Sequence, residues 1–182
     1  MFECGSMIQS WEQVSEEVAY TGRRKIVKRM YRMPDGRVTD FEIKAEGQTV
    51  CIFALTTDQR VILARQFRPG PGKVLLELPG GGLEKGEAII EAAARELQEE
   101  TGYRGTLQSL GSGWRCAYST GLGHHFVATN CERVADMRLD EDEFIEHMTM
   151  PLPEFLEHLR LGELTDAATA YRALDHLGLL GC

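Results

Sequence analysis

A glycine turn and five charged side chains mark where this chain could do chemistry. Gly80-Gly81-Gly82 is followed by Glu87 and then by Arg95, Glu96, Glu99 and Glu100. On a helix, at about 100° per residue, Glu96, Glu99 and Glu100 share one face, while Ile90, Ala94 and Leu97 fall roughly opposite and could dock on a sheet. The pattern predicts an amphipathic helix over 87–101 with an exposed, all-carboxylate ridge. Like charges at i,i+3 and i,i+4 each cost a helix about 0.2–0.5 kcal/mol, a repulsion that a bound cation relieves. Carboxylate oxygens favour hard ions, Mg²⁺ or Mn²⁺, over zinc or copper, and Mg²⁺ combines one or two carboxylates with phosphate oxygens and waters. The glycines let backbone carbonyls and amides approach a metal or phosphate closely. A glutamate-rich helix is more often a solvated face and nothing else; here the spacing has to decide.

The elements that position these residues are legible from pattern. Lys25–Met33 and Arg37–Ile43 flank the turn signal Pro34-Asp35-Gly36, a hairpin candidate within N-terminal strands at about 20–45. Thr49–Thr56 is β-branched and nearly all apolar, and Val61–Ala64 continues it, so at least one buried strand is expected. VLLEL, at 74–78, is a short strand ended by Pro79 and the glycines. After Gly102 come β-like runs at 104–115, 125–131 and 144–150, then two helices, one from Pro153 and one over Asp166–Leu177. Strands with helices before and after suggest an α/β/α sandwich, in one domain spanning 1–182.

Composition narrows the partners. The chain has 182 residues, 43% of them hydrophobic, and a formal charge of −8; the basic footprint needed for nucleic acid polymers is missing, whereas a small anion neutralised by a metal or local arginines remains open. The cysteines at 4, 51, 116, 131 and 182 are odd in number and show no Cys-x-x-Cys pair, which fits a reducing cytoplasm. No signal peptide or membrane span is expected.

Gly81, five residues, Glu87, seven residues, Arg95-Glu96-Leu97, one residue, Glu99-Glu100, one residue, Gly102-Tyr103 reproduces the Nudix box over 81–103; a chance match is on the order of 10⁻⁷. The chain resembles the Nudix hydrolase family, and the similarity extends beyond the box. VILARQFRPGPGKVLLELPGG at 61–81 and DEDEFIEHMTMPLPEFLEHLRLGELTD at 140–166 look like the corresponding segments of ADP-ribose and nucleoside-diphosphate-sugar pyrophosphatases. This resemblance implies a Nudix α/β/α sandwich with a mixed sheet and an N-terminal antiparallel hairpin region. It also implies metal-dependent cleavage of ADP-ribose or a related nucleoside diphosphate sugar to a nucleoside monophosphate and a sugar phosphate.

Carried over residue by residue, the resemblance makes Glu96 and Glu100 metal ligands, with Glu99 beside them, Glu87 near the ions and the Gly80 carbonyl completing the set. Arg95 would orient the glutamates, Arg68 would clamp phosphate, and Glu77 would contact a metal through water. The water-activating base comes from the acidic loop, with Glu143 first and Glu141 as substitute, and an ordinary acidic turn is the plain alternative. Phe41 falls at one position of the aromatic pair that relatives place around adenine; basic residues near Arg24 occupy the other. Thr120 stands where many ADP-ribose enzymes carry proline. GDP-mannose, FAD, NADH or a damaged nucleotide therefore stay open as substrates. A non-catalytic nucleotide sensor stays open too, although no box glutamate is missing. The resemblance further implies a homodimer, commonly domain-swapped among relatives. His124, His125, Trp114 and Tyr118 read as packing or surface residues.

Overall fold

The computed structural model describes residues 9–141 and 143–180. Cys4, Cys182 and Asp142 of the acidic loop lie outside the described residues. The chain divides into two compact units, one comprising residues through Gly47 with Trp114–Leu122 and the other Gln48–Gly113 with Gly123 onward. The backbone builds two separate sheets, one in each unit.

The first unit is an antiparallel sheet in the order β1-β2-β3, with β1 at Glu12–Thr21, β2 at Lys25–Arg32 and β3 at Val38–Lys44. The expected hairpin is β2-β3. Asp35 Oδ1 accepts the Arg37 N–H at 3.1 Å, and Gly36 takes the left-handed φ of 85° that the turn needs. Charges in the basic run of β2 are spent on neighbouring strands, Arg29 on Glu16 at 2.6 Å and Arg32 on Glu12 at 3.0 Å. β1 escapes sequence reading. All ten of its residues are exposed, and register shifts between Gln13 and Ser15 and between Val18 and Tyr20 break the two-residue alternation.

The second unit holds six strands in the order β6-β5-β4-β8-β7, with β9 also paired to β5. They are β4 Gln48–Thr56, β5 Arg60–Arg68, β6 Lys73–Glu77, β7 Tyr103–Trp114, β8 Leu122–Arg133 and β9 Ile145–Pro151; the helices are α1 Ile89–Thr101, α2 Leu152–Leu161 and α3 Ala167–His176. Alternation along β4 and β5 makes both faces of the sheet apolar. Phe53, Leu55, Val61 and Leu63 pack with Phe155 and Leu159 of α2 and Ala173 and Leu174 of α3. Ile52, Ala54 and Ile62 pack on the other face with Ala92, Ala93 and Leu97 of α1. Helices on both faces of a central sheet are the expected α/β/α sandwich.

The docking face of α1 differs from the one read off the helical wheel. Ile90 is 52% exposed, and Ala93, Leu97 and Glu100, at i, i+4 and i+7, are buried instead. The wheel fixes relative azimuths but not which azimuth faces the sheet. The helix ends at Gly102, whose φ of 78° lets its N–H cap the Gln98 carbonyl at 2.8 Å.

Candidate active site

The turn at 80–82 is built into the sheet before it meets α1. The amides of Ile52 and Val50 donate to the carbonyls of Pro79 and Gly81, each at 2.9 Å. Gly80, between them, points the other way and donates its N–H to Glu100 Oε2 at 2.8 Å. A side chain at Gly80 would place its Cβ 2.3 Å from the Val50 carbonyl oxygen, and one at Gly81 would sit 2.4 Å from a Glu96 carboxylate oxygen. At Gly80 only glycine fits against the β4 backbone, and at Gly81 a side chain would displace the Glu96 carboxylate.

Arg95 is the centre of the carboxylate cluster. Its Nε and Nη2 donate to the two oxygens of Glu87 at 2.8 and 3.0 Å, its Nη1 to Glu96 at 2.9 Å and Glu99 at 3.0 Å, and Nη2 also to the Gly82 carbonyl at 2.9 Å. A planar fork with five N–H groups can serve all of these at once, which a lysine could not. The hydrogen bonds to Arg95 hold the Glu87 carboxyl below its ordinary range. Glu87 itself precedes α1, in a turn in which its Oε2 accepts the Glu84 N–H at 2.9 Å.

The ridge is not exposed as the wheel suggests. Glu96 is 9% and Glu100 5% exposed, covered by the glycine turn. Burial raises the Glu96 carboxyl, with Arg95 opposing. Burial pushes Glu100 up to about 8, against the Gly80 N–H and Arg68 and assisted by the negative charges of Glu96 and Glu143. The charge of Glu143, the first of the two acidic-loop candidates, bears on both Glu96 and Glu100. Its loop is tied to α1 by the Arg138 N–H on the Glu99 carbonyl at 2.8 Å, and its carboxylate accepts the Asp140 N–H at 3.1 Å. Glu141 is exposed in the same turn.

All the donors are oxygens, and two carboxylates sit where their charge is unfavourable without a cation, so the residues fit a hard divalent ion. Among the described residues no three carboxylate, histidine or cysteine groups converge as a ready ligand set; Arg95 and the Gly80 N–H hold the oxygens here. A stability signature follows. Glu100 in the folded protein holds its proton to about pH 8, while an unfolded glutamate releases it near about 4.3. Between these values the folded state binds more protons, so the metal-free protein should lose stability as pH rises from about 5 to 8. In EDTA its Tm should fall by several degrees over that window, and millimolar Mg²⁺ or Mn²⁺ should restore more at pH 8 than at pH 5. A flat Tm, or equal metal rescue at both pH values, would contradict a protonated Glu100 at this site.

Arg68 and Glu77 pair with each other. Arg68 Nε donates to Glu77 Oε2 at 2.5 Å, and Glu77 is 1% exposed. Glu77 Oε1 accepts the hydroxyl of Thr165. Glu77 is therefore a buried anchor for Arg68. Thr165 went unnoticed in the sequence, since nothing local ties it to a residue 88 positions away.

Phe41 belongs to the first unit. It lies 6.4 Å from Tyr118 at an interplanar angle of 23°, with Trp11 at 5.8 Å and Tyr31 at 5.9 Å. Tyr118, read from sequence as a packing or surface residue, is 57% exposed, and the Thr120 hydroxyl in the same loop donates to the Glu46 carbonyl at 2.8 Å. His124 and His125 are buried partners of Gln48 and Thr169, each at 2.7 Å, in keeping with packing.

Residues 45–174 match the family described as the NUDIX domain. Over 152 residues, covering 81% of this chain and 80% of the relative, the sequence is 36% identical to the ADP-ribose pyrophosphatase of Bacillus subtilis (strain 168). It is 30% identical over 154 residues to the methanol dehydrogenase activator of Bacillus methanolicus, with 81% of this chain and 80% of that one covered. The crystal structure of an ADP compounds hydrolase has a TM-score of 0.79 and covers 95% of this chain and 98% of its own; at 21% identity it speaks for the fold.

Proposed function

This chain belongs to the Nudix family, and on that premise we propose that it hydrolyses the diphosphate of ADP-ribose or a related nucleoside diphosphate sugar. It is a hydrolase acting on phosphoric anhydrides. For ADP-ribose the products are AMP and ribose 5-phosphate. The observation that carries this reading is the gathering of Glu87, Glu96 and Glu99 on Arg95 beside a glycine turn that holds Glu100. For the substrate, support comes from the 36% identical ADP-ribose pyrophosphatase.

Glu96, Glu99, Glu100 and the Gly80 carbonyl would hold Mg²⁺ or Mn²⁺, which when bound polarises the diphosphate and acidifies a water. Arg95 keeps the glutamates oriented and offsets their mutual repulsion. Arg68, half-exposed beside Glu100, binds phosphate oxygens. Glu143 takes the proton of the attacking water as its oxygen bonds to phosphorus; the bridging P–O bond breaks, and its electron pair leaves with the departing phosphate. Phe41, with Tyr118 beside it, offers an aromatic surface of the kind that takes a base.

We further read the strands before residue 45 as part of one functional domain with the matched region, in a cytoplasmic homodimer. Trp11, Val14, Val18 and Tyr20, exposed along and beside the edge strand β1, support self-association. No helix of the described residues is long and apolar enough to cross a membrane.

A hydrolysis panel of ADP-ribose, GDP-mannose, FAD, NADH and nucleoside triphosphates with Mg²⁺ and Mn²⁺ tests the reading, with ADP-ribose or an ADP-sugar expected to give the highest kcat/KM. Inactivity on all of them would sink it and favour a sensor, to which the activator among the relatives points. Glu143→Gln should lower kcat by more than about tenfold, the usual size of a general-base contribution being at least 10²-fold. A smaller loss, with a larger one in Glu141→Gln, would move the base to Glu141.

A further inference from the structure

Glu77 closes β6 and is 1% exposed, yet the chemistry above gives it no direct part. A carboxylate so buried is tolerated only when its oxygens are paired. One oxygen accepts Arg68 Nε, and the other accepts the hydroxyl of Thr165, in the segment between α2 and α3. That hydroxyl also lies 3.1 Å from Asp166 Oδ2, but it has a single proton and Glu77 is the nearer acceptor. Arg68, the last residue of β5, is 44% exposed, and its charge acts on Glu100. A solvent-facing cation beside the carboxylate cluster is thus held from behind by a buried acid and a threonine.

We propose that Thr165 is a positioning residue for the phosphate-binding arm: its hydroxyl fixes Glu77, Glu77 fixes the Nε edge of Arg68, and the guanidinium is thereby pre-oriented for diphosphate oxygens. The identity of the bound group rests on the pyrophosphohydrolase reading; the relay itself does not. Without the hydroxyl, one oxygen of Glu77 loses its donor and Arg68 loses a rigid anchor. Arg68 must then be ordered when substrate binds, a cost that falls on binding rather than on the chemical step.

Thr165→Val exchanges the hydroxyl for a methyl at a residue that is itself exposed, so the change has room. With ADP-ribose, KM should rise about three- to tenfold, the size expected for losing one charge-assisted hydrogen bond indirectly, while kcat stays within about twofold. Thr165→Ser should retain the wild-type KM. Glu77→Gln combined with Thr165→Val should be no worse than Glu77→Gln alone, because both changes break one relay. A second readout is independent of turnover: the Arg68 Nε–H proton signal, assigned by its loss in Arg68→Lys, should be protected from exchange in the wild type and broadened in Thr165→Val. Unchanged KM and an unchanged Nε–H signal in Thr165→Val would overturn the proposal, as would additive effects in the double variant. If valine is not accommodated and Tm collapses, Thr165→Ala carries the same two readouts. A broadened Nε–H signal in a protein that never turns over ADP-ribose would support the relay and fault only the substrate.

Discussion

Glu100→Gln is expected to lower kcat about a thousandfold, roughly 4 kcal/mol of transition-state stabilisation, without destabilising the metal-free protein. The side chain is nearly isosteric, and its amide oxygen can still accept the Gly80 N–H that Glu100 accepts at 2.8 Å. What disappears is the negative charge. In the metal-free protein that charge is unwelcome, since burial pushes the carboxyl up to about 8. Above that pH a neutral glutamine should leave Tm unchanged or raise it. Metal loaded on the wild type reverses the balance, because the same charge then faces a cation, and the variant should lose most of the metal-induced gain in Tm. The two measurements together separate a lost ligand from a damaged fold. Wild-type turnover in Glu100→Gln would remove Glu100 from the site, and a lower metal-free Tm at pH 8 would make the activity loss structural.

Arg95→Ala should do the opposite to stability and similar damage to turnover. The guanidinium joins Glu87, Glu96, Glu99 and the Gly82 carbonyl, and its removal leaves Glu96 buried beside Glu100 without the cation that hydrogen-bonds it. Breaking a fully buried pair costs about 3–5 kcal/mol; because Arg95 keeps 23% of its side chain exposed, about 2 kcal/mol is the expected loss. Tm should drop by several degrees and kcat by about 10²-fold or more, with only partial recovery in Arg95→Lys, whose point charge cannot serve the same fork. Saturating Mg²⁺ should recover Tm better than kcat, since a cation can replace the charge of Arg95 but not the directions of its hydrogen bonds. A variant with wild-type Tm and turnover would show that the carboxylates hold their positions without it.

Both results depend on burial that the helical wheel does not contain. Spacing places Glu96, Glu99 and Glu100 on one face, and that much is local geometry. Whether the face is wet is a property of what lies over it. The turn at 80–82 covers Glu96 and Glu100, and it can do so because the Pro79 and Gly81 carbonyls are tied into β4. The same limit explains the exchange of Ile90 for Ala93 on the docking face.

The sequence by itself determined the family, through fixed spacing from Gly81 to Tyr103, and with it the oxygen-donor chemistry, since ligand type is a property of side chains and not of packing. It also determined the strands and helices of the second unit closely, because β4 and β5 bury both faces and α1 buries one, and burial writes itself into periodicity. β1 buries neither face, so no period marks it. Tertiary structure alone decided three things: that two of the glutamates are covered, that Arg95 serves three carboxylates at once, and that Thr165 stands behind Glu77 and Arg68. The first and third are contacts between segments well separated along the chain, and the second adds Glu87 from the turn to two glutamates that are already neighbours of Arg95 on α1; a buried charge is stable only where the fold brings such partners together.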